Sequence, residues 1–76
     1  MDNDRFIIQT LAQEVLSSGK VELLNISVYR NHDKKTWEVN HNGKIVDFDS
    51  LDTAIIRMVL MIGFDCILQE FKSGRF

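Results

Sequence analysis

The side chains best suited to metal binding or nucleophilic chemistry are few and widely separated in this sequence. The only histidines are His32 and His41, and the only cysteine is Cys66. Each histidine falls in a predicted turn, and the two turns lie at opposite ends of one strand, so the imidazoles cannot share a metal ion. Cys66 lies in an apolar stretch, where a thiol is usually buried and inert. The sequence therefore predicts no zinc site, no internal disulfide bond and no cysteine nucleophile.

Three nearby carboxylates, those of Asp47, Asp49 and Asp52, are the strongest candidate for a cation site. A calcium-binding loop requires alternating oxygen ligands, a central glycine and a distal glutamate, which this segment lacks. Capping of the following helix by Asp49 or Ser50, together with the helix dipole, explains Asp49 and Asp52 without a ligand. No serine has a plausible His–Asp partner, and no glycine-rich phosphate loop follows a strand. We therefore expect a protein that is not an enzyme and that binds no cofactor or metal.

Length, charge and hydropathy narrow the class of protein further. The chain has 76 residues, enough for one domain at residues 1–76, and a net charge of −2 with both signs scattered, which argues against nucleic-acid binding. The longest apolar run, residues 58–62, is far shorter than the ~20 residues that span a bilayer, and the acidic start is no secretory signal. These features predict a cytoplasmic protein with no nucleic-acid and no membrane partner.

Hydrophobic periodicity predicts a helix followed by three strands. Residues 4–18 carry one apolar face at helical spacing, and Gly19 is placed where a helix commonly ends. Residues 21–30, 35–40 and 44–48 are predicted strands with one buried face, which carries Leu24, Ile26, Val28, Trp37, Val39, Val46 and Phe48. Two hairpin loops are predicted, a four-residue loop at residues 31–34 and an Asn-Gly loop at residues 42–43. The resulting pairs are Val28 with Trp37, Ile26 with Val39, Val39 with Val46, and Trp37 with Phe48.

The last third of the sequence, residues 49–71, predicts one long helix or two pieces that break near Gly63. One apolar stripe of this segment faces the sheet. A second stripe lies on roughly the opposite side, and its members are Leu60, Phe64, Ile67, Leu68 and Phe71. A symmetric dimer would cover this stripe, and so would the first helix or a chain that folds back at Gly63. We therefore regard these residues as a candidate oligomer interface.

The expected fold is α+β, a three-stranded antiparallel β-meander with two helices packed on one face in the order α-β-β-β-α. The opposite sheet face is polar and carries Asn25, Ser27, Tyr29, Glu38, Asn40 and Asp47. A mixed polar face with one aromatic residue suits a protein-binding site. The same pattern also describes an ordinary solvated sheet face, which many antiparallel sheets have.

Two known families offer points of comparison. The element order resembles that of double-stranded-RNA-binding domains, but their lysine cluster at the start of the second helix is replaced here by acidic residues at 49 and 52. Residues 25–31, 39–44 and 47–50 resemble the sheet region of a small phage anti-CRISPR family that acts on type I-F surveillance complexes. The second resemblance implies an inhibitor that binds Cas backbone subunits through its sheet and blocks DNA access, with Tyr29 at the position of a contacting tyrosine. It covers less than half of the chain, which begins with a helix where that family has a strand.

Two hypotheses for function remain. The first is a small non-enzymatic protein-binding module, an inhibitor or adaptor that acts through the polar sheet face. The second is a self-associating, homodimeric structural or regulatory protein that uses the apolar C-terminal helix. The partner is thus another protein or a second copy of the chain.

Overall fold

The computed structural model describes residues 2–74, with side chains from residue 4 onward. Along these residues the chain forms a helix, four strands and two further helices. In chain order they are α1 (Asp2–Ser18), β1 (Lys20–Leu23), β2 (Ile26–Asn31), β3 (Thr36–His41), β4 (Lys44–Phe48), α2 (Leu51–Ile62) and α3 (Phe64–Lys72). Each predicted element is recognisable, but the expected fold is wrong in two places. The described chain is α-β4-α-α, with four antiparallel strands instead of three and three helices instead of two.

The four strands form one antiparallel sheet in the order β1-β2-β3-β4, so that β1 and β4 are its edges. One side, which we call the core face, is covered by α1 and α2, and α3 packs on both of these helices. The core face contributes five fully buried side chains, those of Val21, Leu23, Ile26, Val28 and Val39. The other side, which we call the outer face, carries the alternate residues of each strand.

The predicted first strand is two strands joined by a tight turn at Leu24 and Asn25. Both residues have positive φ, 50° and 69°, as the type I′ turn of a two-residue hairpin requires. The pair that closes this hairpin is Leu23 with Ile26. A two-residue turn reverses which residues face the core, so Leu23 is buried while Leu24 is exposed at the tip. The sequence marks the turn only by the adjacent apolar residues Leu23 and Leu24, where the alternation shifts by one position, and it has no glycine there, which is why the turn was missed.

The two predicted hairpin registers had different outcomes. The Asn-Gly loop is confirmed, because His41 pairs with Lys44 and Val39 with Val46. The preceding loop lies one residue later than predicted, at residues 32–35, and this pairs Val28 with Val39 instead of Trp37. The pairing therefore differs by two residues, which leaves every side chain on its predicted face.

Side-chain hydrogen bonds explain why that loop begins after Asn31. The Asn31 Oδ1 atom accepts hydrogen bonds from the backbone N–H groups of Asp33 (3.0 Å) and Lys34 (3.1 Å). Lys35 then has a φ of 59°, which turns the chain into β3. The new register places Arg30 opposite Trp37, with the guanidinium carbon 4.7 Å from the ring centroid. That distance is typical of a cation–π contact.

The long C-terminal helix breaks at Gly63, which was one of the two alternatives that the sequence left open. Gly63 has φ 98° and ψ 139°, a conformation that side chains disfavour, and its N–H group caps α2 by donating to the Val59 carbonyl. The break lets α3 turn back onto α1, where Phe71 meets Phe6 edge to face at a centroid distance of 6.1 Å. At the other end of α2, the Ser50 hydroxyl accepts from the Thr53 N–H group, which identifies Ser50 as the N-cap.

The turn at Gly63 also decides which side chains of α3 reach the core. Ile67 is fully buried, and Phe64, Leu68 and Phe71 pack partly buried around it, at the 3–4 residue spacing of one helix face. Cys66 lies on the other side of α3 and is exposed, so the prediction of a buried thiol is wrong. None of the helices described between residues 2 and 74 is both long enough and apolar enough to cross a membrane.

Candidate protein-binding face

The outer face consists of cross-strand rows of side chains fixed by the sheet register. The central row runs across all four strands and contains Lys20, Tyr29, Glu38 and Asp47. The neighbouring row contains Glu22, Ser27, Asn40 and Ile45, and Asn31 lies opposite Thr36 on the far side. Directly opposed side chains on one face lie close enough to interact. The rows therefore bring one aromatic ring between a lysine and two carboxylates.

Glu38 is the most enclosed polar side chain of this face, with only 7% of its surface exposed. The Asn31 Nδ2 group donates a hydrogen bond of 2.6 Å to the Glu38 Oε2 atom. The loop in turn holds the Asn31 side chain, because its Oδ1 atom accepts hydrogen bonds from the backbone N–H groups of Asp33 and Lys34. A buried carboxylate is costly unless hydrogen bonds compensate for lost water, so the loop and the strand fix this group together.

The hydrogen bonds at Glu38 also set its acidity. The bond from Asn31 and then a bond from Tyr29 hold the pKa of Glu38 below its ordinary value, and the Lys34 charge acts in the same direction. Burial raises the pKa of Tyr29, and the charges of Glu38 and Asp47 add to this rise. At neutral pH, Glu38 is thus ionised while Tyr29 keeps its proton. The face presents a fixed negative charge beside a neutral phenol.

We expect the charge of Glu38 to make stability depend on pH. The folded pKa lies below the ordinary value of 4.5, so the stabilisation is complete above that value and is lost as the pH falls through the folded pKa. Chemical denaturation of the wild type and of Glu38→Gln, from about pH 7 to about pH 3, measures the difference. The advantage of the wild type should shrink toward acid. A difference that does not change with pH would contradict this assignment.

A second, more exposed contact joins the same loop to the edge strand. The Lys34 Nζ atom lies 3.5 Å from the Asp47 Oδ2 atom, and both side chains remain open to solvent, so the pair adds little stability. The buried hydroxyl of Thr36, the first residue of β3, has no hydrogen-bond partner within the described residues. The loop that follows β2 therefore covers one side of the outer face.

The structure brings together most of the residues that sequence reasoning assigned to this face. Five of the six predicted residues share it: Ser27, Tyr29, Glu38, Asn40 and Asp47. Asn25 does not, because it lies in the turn between β1 and β2. Asn31 was missed because the predicted strand ended one residue earlier, although alternation along β2 places it on the same face as Tyr29.

The second predicted site, the apolar stripe, does not form one exposed patch. Ile67 is fully buried, and three further members, Phe64, Leu68 and Phe71, pack against the core. Leu60 alone of the five is largely exposed, at 69%. The fold thus covers the stripe mainly with its own α1 and α2, which removes the reason for expecting a dimer through the whole stripe.

A small open groove lies elsewhere, between α2 and the strands β3 and β4. Its volume is about 190 Å³, and its lining combines three apolar side chains with two cationic ones and a histidine: Val39, Val46, Met61, Lys44, Arg57 and His41. His41 is the last residue of β3 and not a loop residue, whereas His32 lies in the loop before β3. Among residues 2–74, no three His, Cys, Asp or Glu side chains are grouped so that they could hold a metal ion.

Comparisons with known proteins identify no relative of this chain. The chain matches no protein-family model, no curated protein and no solved structure.

Proposed function

We propose that the chain is a small non-enzymatic protein-binding domain whose outer face contacts another protein. The observation that carries the proposal is the enclosed Glu38 on a sheet face that α1 and α2 leave open. Hydrogen bonds with Asn31 and Tyr29 order this carboxylate before any partner arrives. Side chains that are already fixed lose less conformational entropy on binding, which favours affinity.

The composition of the face also supports a protein partner. Tyr29 is half-buried in the central row, so that part of its ring remains available for contact. Tyrosine combines a large apolar ring with a hydroxyl group and is enriched among the residues that dominate interface energies. The surrounding groups, including Ser27 and Asn40, supply neutral donors and acceptors. Such a face matches a reversible interface better than a cleft for a small molecule.

Residues 25–31 resemble part of the type I-F anti-CRISPR proteins, and this resemblance indicates that the type I-F surveillance complex is the first partner to test. An inhibitor of this kind would bind Cas backbone subunits through its sheet. The position of Tyr29 in the central row of the outer face supports this form of the proposal, because the implied contact requires the tyrosine to be accessible on that face.

We expect Tyr29→Ala to weaken binding to a purified type I-F surveillance complex by about 30-fold or more, since truncating a hot-spot tyrosine costs about 2 kcal/mol. Tyr29→Phe should weaken it less, because the ring remains. Biolayer interferometry with the immobilised complex measures both. The matched control is Gln13→Ala, an exposed position on α1 on the other side of the sheet.

The experiment tests two claims separately: that the outer face is the contact surface, and that the partner is a type I-F surveillance complex. Equal binding by Tyr29→Ala and Gln13→Ala would show that the outer face is not the contact surface. Failure of the wild-type chain to bind the complex would exclude an inhibitor of the type I-F anti-CRISPR class.

A further inference from the structure

The two edges of the sheet are protected to different degrees. At one edge, β1 has only four residues, and its outer-face side chains, Lys20 and Glu22, are charged and lie 3.8 Å apart. Short, charged edge strands are a common means of preventing pairing with another chain. At the other edge, β4 carries Ile45 on the outer face and Val46 on the core face, with 49% and 44% of their surfaces exposed. The centre of the β4 edge thus exposes one apolar side chain on each face, between the charged residues Lys44 and Asp47.

The backbone of β4 presents a regular set of groups at this edge. Lys44 pairs with His41 around the two-residue loop, so these two residues exchange hydrogen bonds. Hydrogen-bonded and non-hydrogen-bonded pairs alternate along an antiparallel ladder. The N–H and C=O groups of Ile45 and Asp47 therefore point away from β3. They are separated by one residue, Val46, whose own backbone groups point toward β3.

The apolar surface continues from β4 onto α2. Met61 and Val46 line the same groove, and Met61 is partly open to solvent. Leu60 and Ile56, one helical turn apart, are also exposed on α2. Exposed apolar side chains beside a free strand edge, as Met61 and Val46 are here, are typical of an association surface.

We propose that a second copy of this chain pairs with β4 in the antiparallel direction, with the twofold axis at Val46, to form a continuous eight-stranded sheet. In this register Ile45 lies opposite the partner's Asp47, and the two residues exchange backbone hydrogen bonds on each side of the axis. Val46 meets the partner's Val46 on the core face, in a non-hydrogen-bonded pair, where side chains lie closest. The outward groups of β4 have the spacing that this symmetry requires.

The charges along β4 favour a second copy over an unrelated strand. The start of the strand is cationic, with Lys44 next to Arg57 across the groove. Its end is acidic, with Asp47 in the strand and Asp49 and Asp52 just after it. Antiparallel pairing of two copies brings the cationic end of one beside the acidic end of the other, whereas parallel pairing would oppose like charges. Such complementarity selects the partner and its direction.

The direct test is the oligomeric state together with amide hydrogen exchange, in a Cys66→Ser background because the exposed thiol could join copies covalently. Sedimentation velocity from about 1 μM to about 1 mM should show a monomer converting into a dimer. Over the same range, exchange at the Ile45 and Asp47 amides should slow at least tenfold, since only dimerisation protects them. A monomer at every concentration, or a dimer in which these amides still exchange freely, would overturn the proposal.

Variants at one exposed position test the register. Ile45→Asp faces the partner's Asp47 with a like charge and should raise the dissociation constant at least tenfold. Ile45→Lys removes the same apolar group but faces that carboxylate with the opposite charge, so the dimer should persist. Adding Asp47→Lys to Ile45→Asp restores opposite charges and should restore the dimer. Equal weakening by Ile45→Asp and Ile45→Lys, or no rescue by Asp47→Lys, would overturn this pairing.

The dimer goes beyond the proposed function and does not depend on it. Its test requires only the chain itself, whereas the outer-face contact is tested with Tyr29 variants and another protein. Failure of one therefore leaves the other intact.

Discussion

Ile67→Ala should lower the free energy of unfolding by about 2–5 kcal/mol, the usual cost of truncating a buried isoleucine to alanine. Ile67 is fully buried although it lies in the last helix, because α3 turns back at Gly63 and inserts this side chain among α1 and α2. The loss includes the transfer free energy of the removed methyl groups and the cavity that remains. Urea denaturation followed by circular dichroism measures it.

The matched control is Leu60→Ala, which removes an apolar side chain of similar size from the same predicted stripe. Leu60 is largely exposed, so its truncation should change stability by no more than about 0.5 kcal/mol. Because we propose that the chain associates with a second copy, both variants are compared at low protein concentration, where association contributes little. Similar losses for the two variants would mean that α3 does not fold back as described.

The strand arrangement shows where local sequence signals suffice and where they fail. The hairpin at residues 42–43 was predicted because Asn-Gly accepts the positive φ values that a type I′ turn requires, here 54° and 88°. The turn at Leu24 and Asn25 has the same geometry without the glycine, and leucine is disfavoured at positive φ. Pairing of β1 with β2 and burial of Val21 and Leu23 outweigh that local cost. The sequence signals this turn only by the shift of alternation between Leu23 and Leu24, and tertiary packing supplies the stability that the turn residues lack.

The candidate face was predictable to a similar extent. The two-residue error in the register of β2 and β3 did not move Tyr29 or Glu38 to the other face, because side-chain orientation repeats every two residues. The enclosure of Glu38 was not predictable, since it depends on Asn31, which had been assigned to the loop. Alternation thus predicts which residues share a face, whereas the hydrogen bonds between them require the true register.

The C-terminal segment illustrates the same limit at the level of helices. A single wheel over residues 49–71 made Leu60 and Ile67 neighbours on one stripe, and the break at Gly63 separates them into a surface and a core residue. The same break explains the error at Cys66, which faces away from the α3 residues that pack inward. The glycine was visible in the sequence, but the direction of the chain after it depends on whether α1 offers a surface for α3.

Gly63→Ala should lower the free energy of unfolding by about 1–3 kcal/mol, because alanine at φ 98° is strained. Apart from Gly63 and its two chain neighbours, no described residue places an atom within 4 Å of the position a Cβ would take, so the cost comes from the backbone and not from a clash. The alternative open to the variant is a continuous helix from α2 into α3, which relieves the strain but withdraws Ile67 from the core. Denaturation monitored by circular dichroism detects both effects.

Gly74→Ala is the control, since Gly74 also has positive φ, 83°, and open space around it but follows the last packed helix. Equal stability of Gly63→Ala and the wild type would show that the conformation at Gly63 does not direct α3 onto the core.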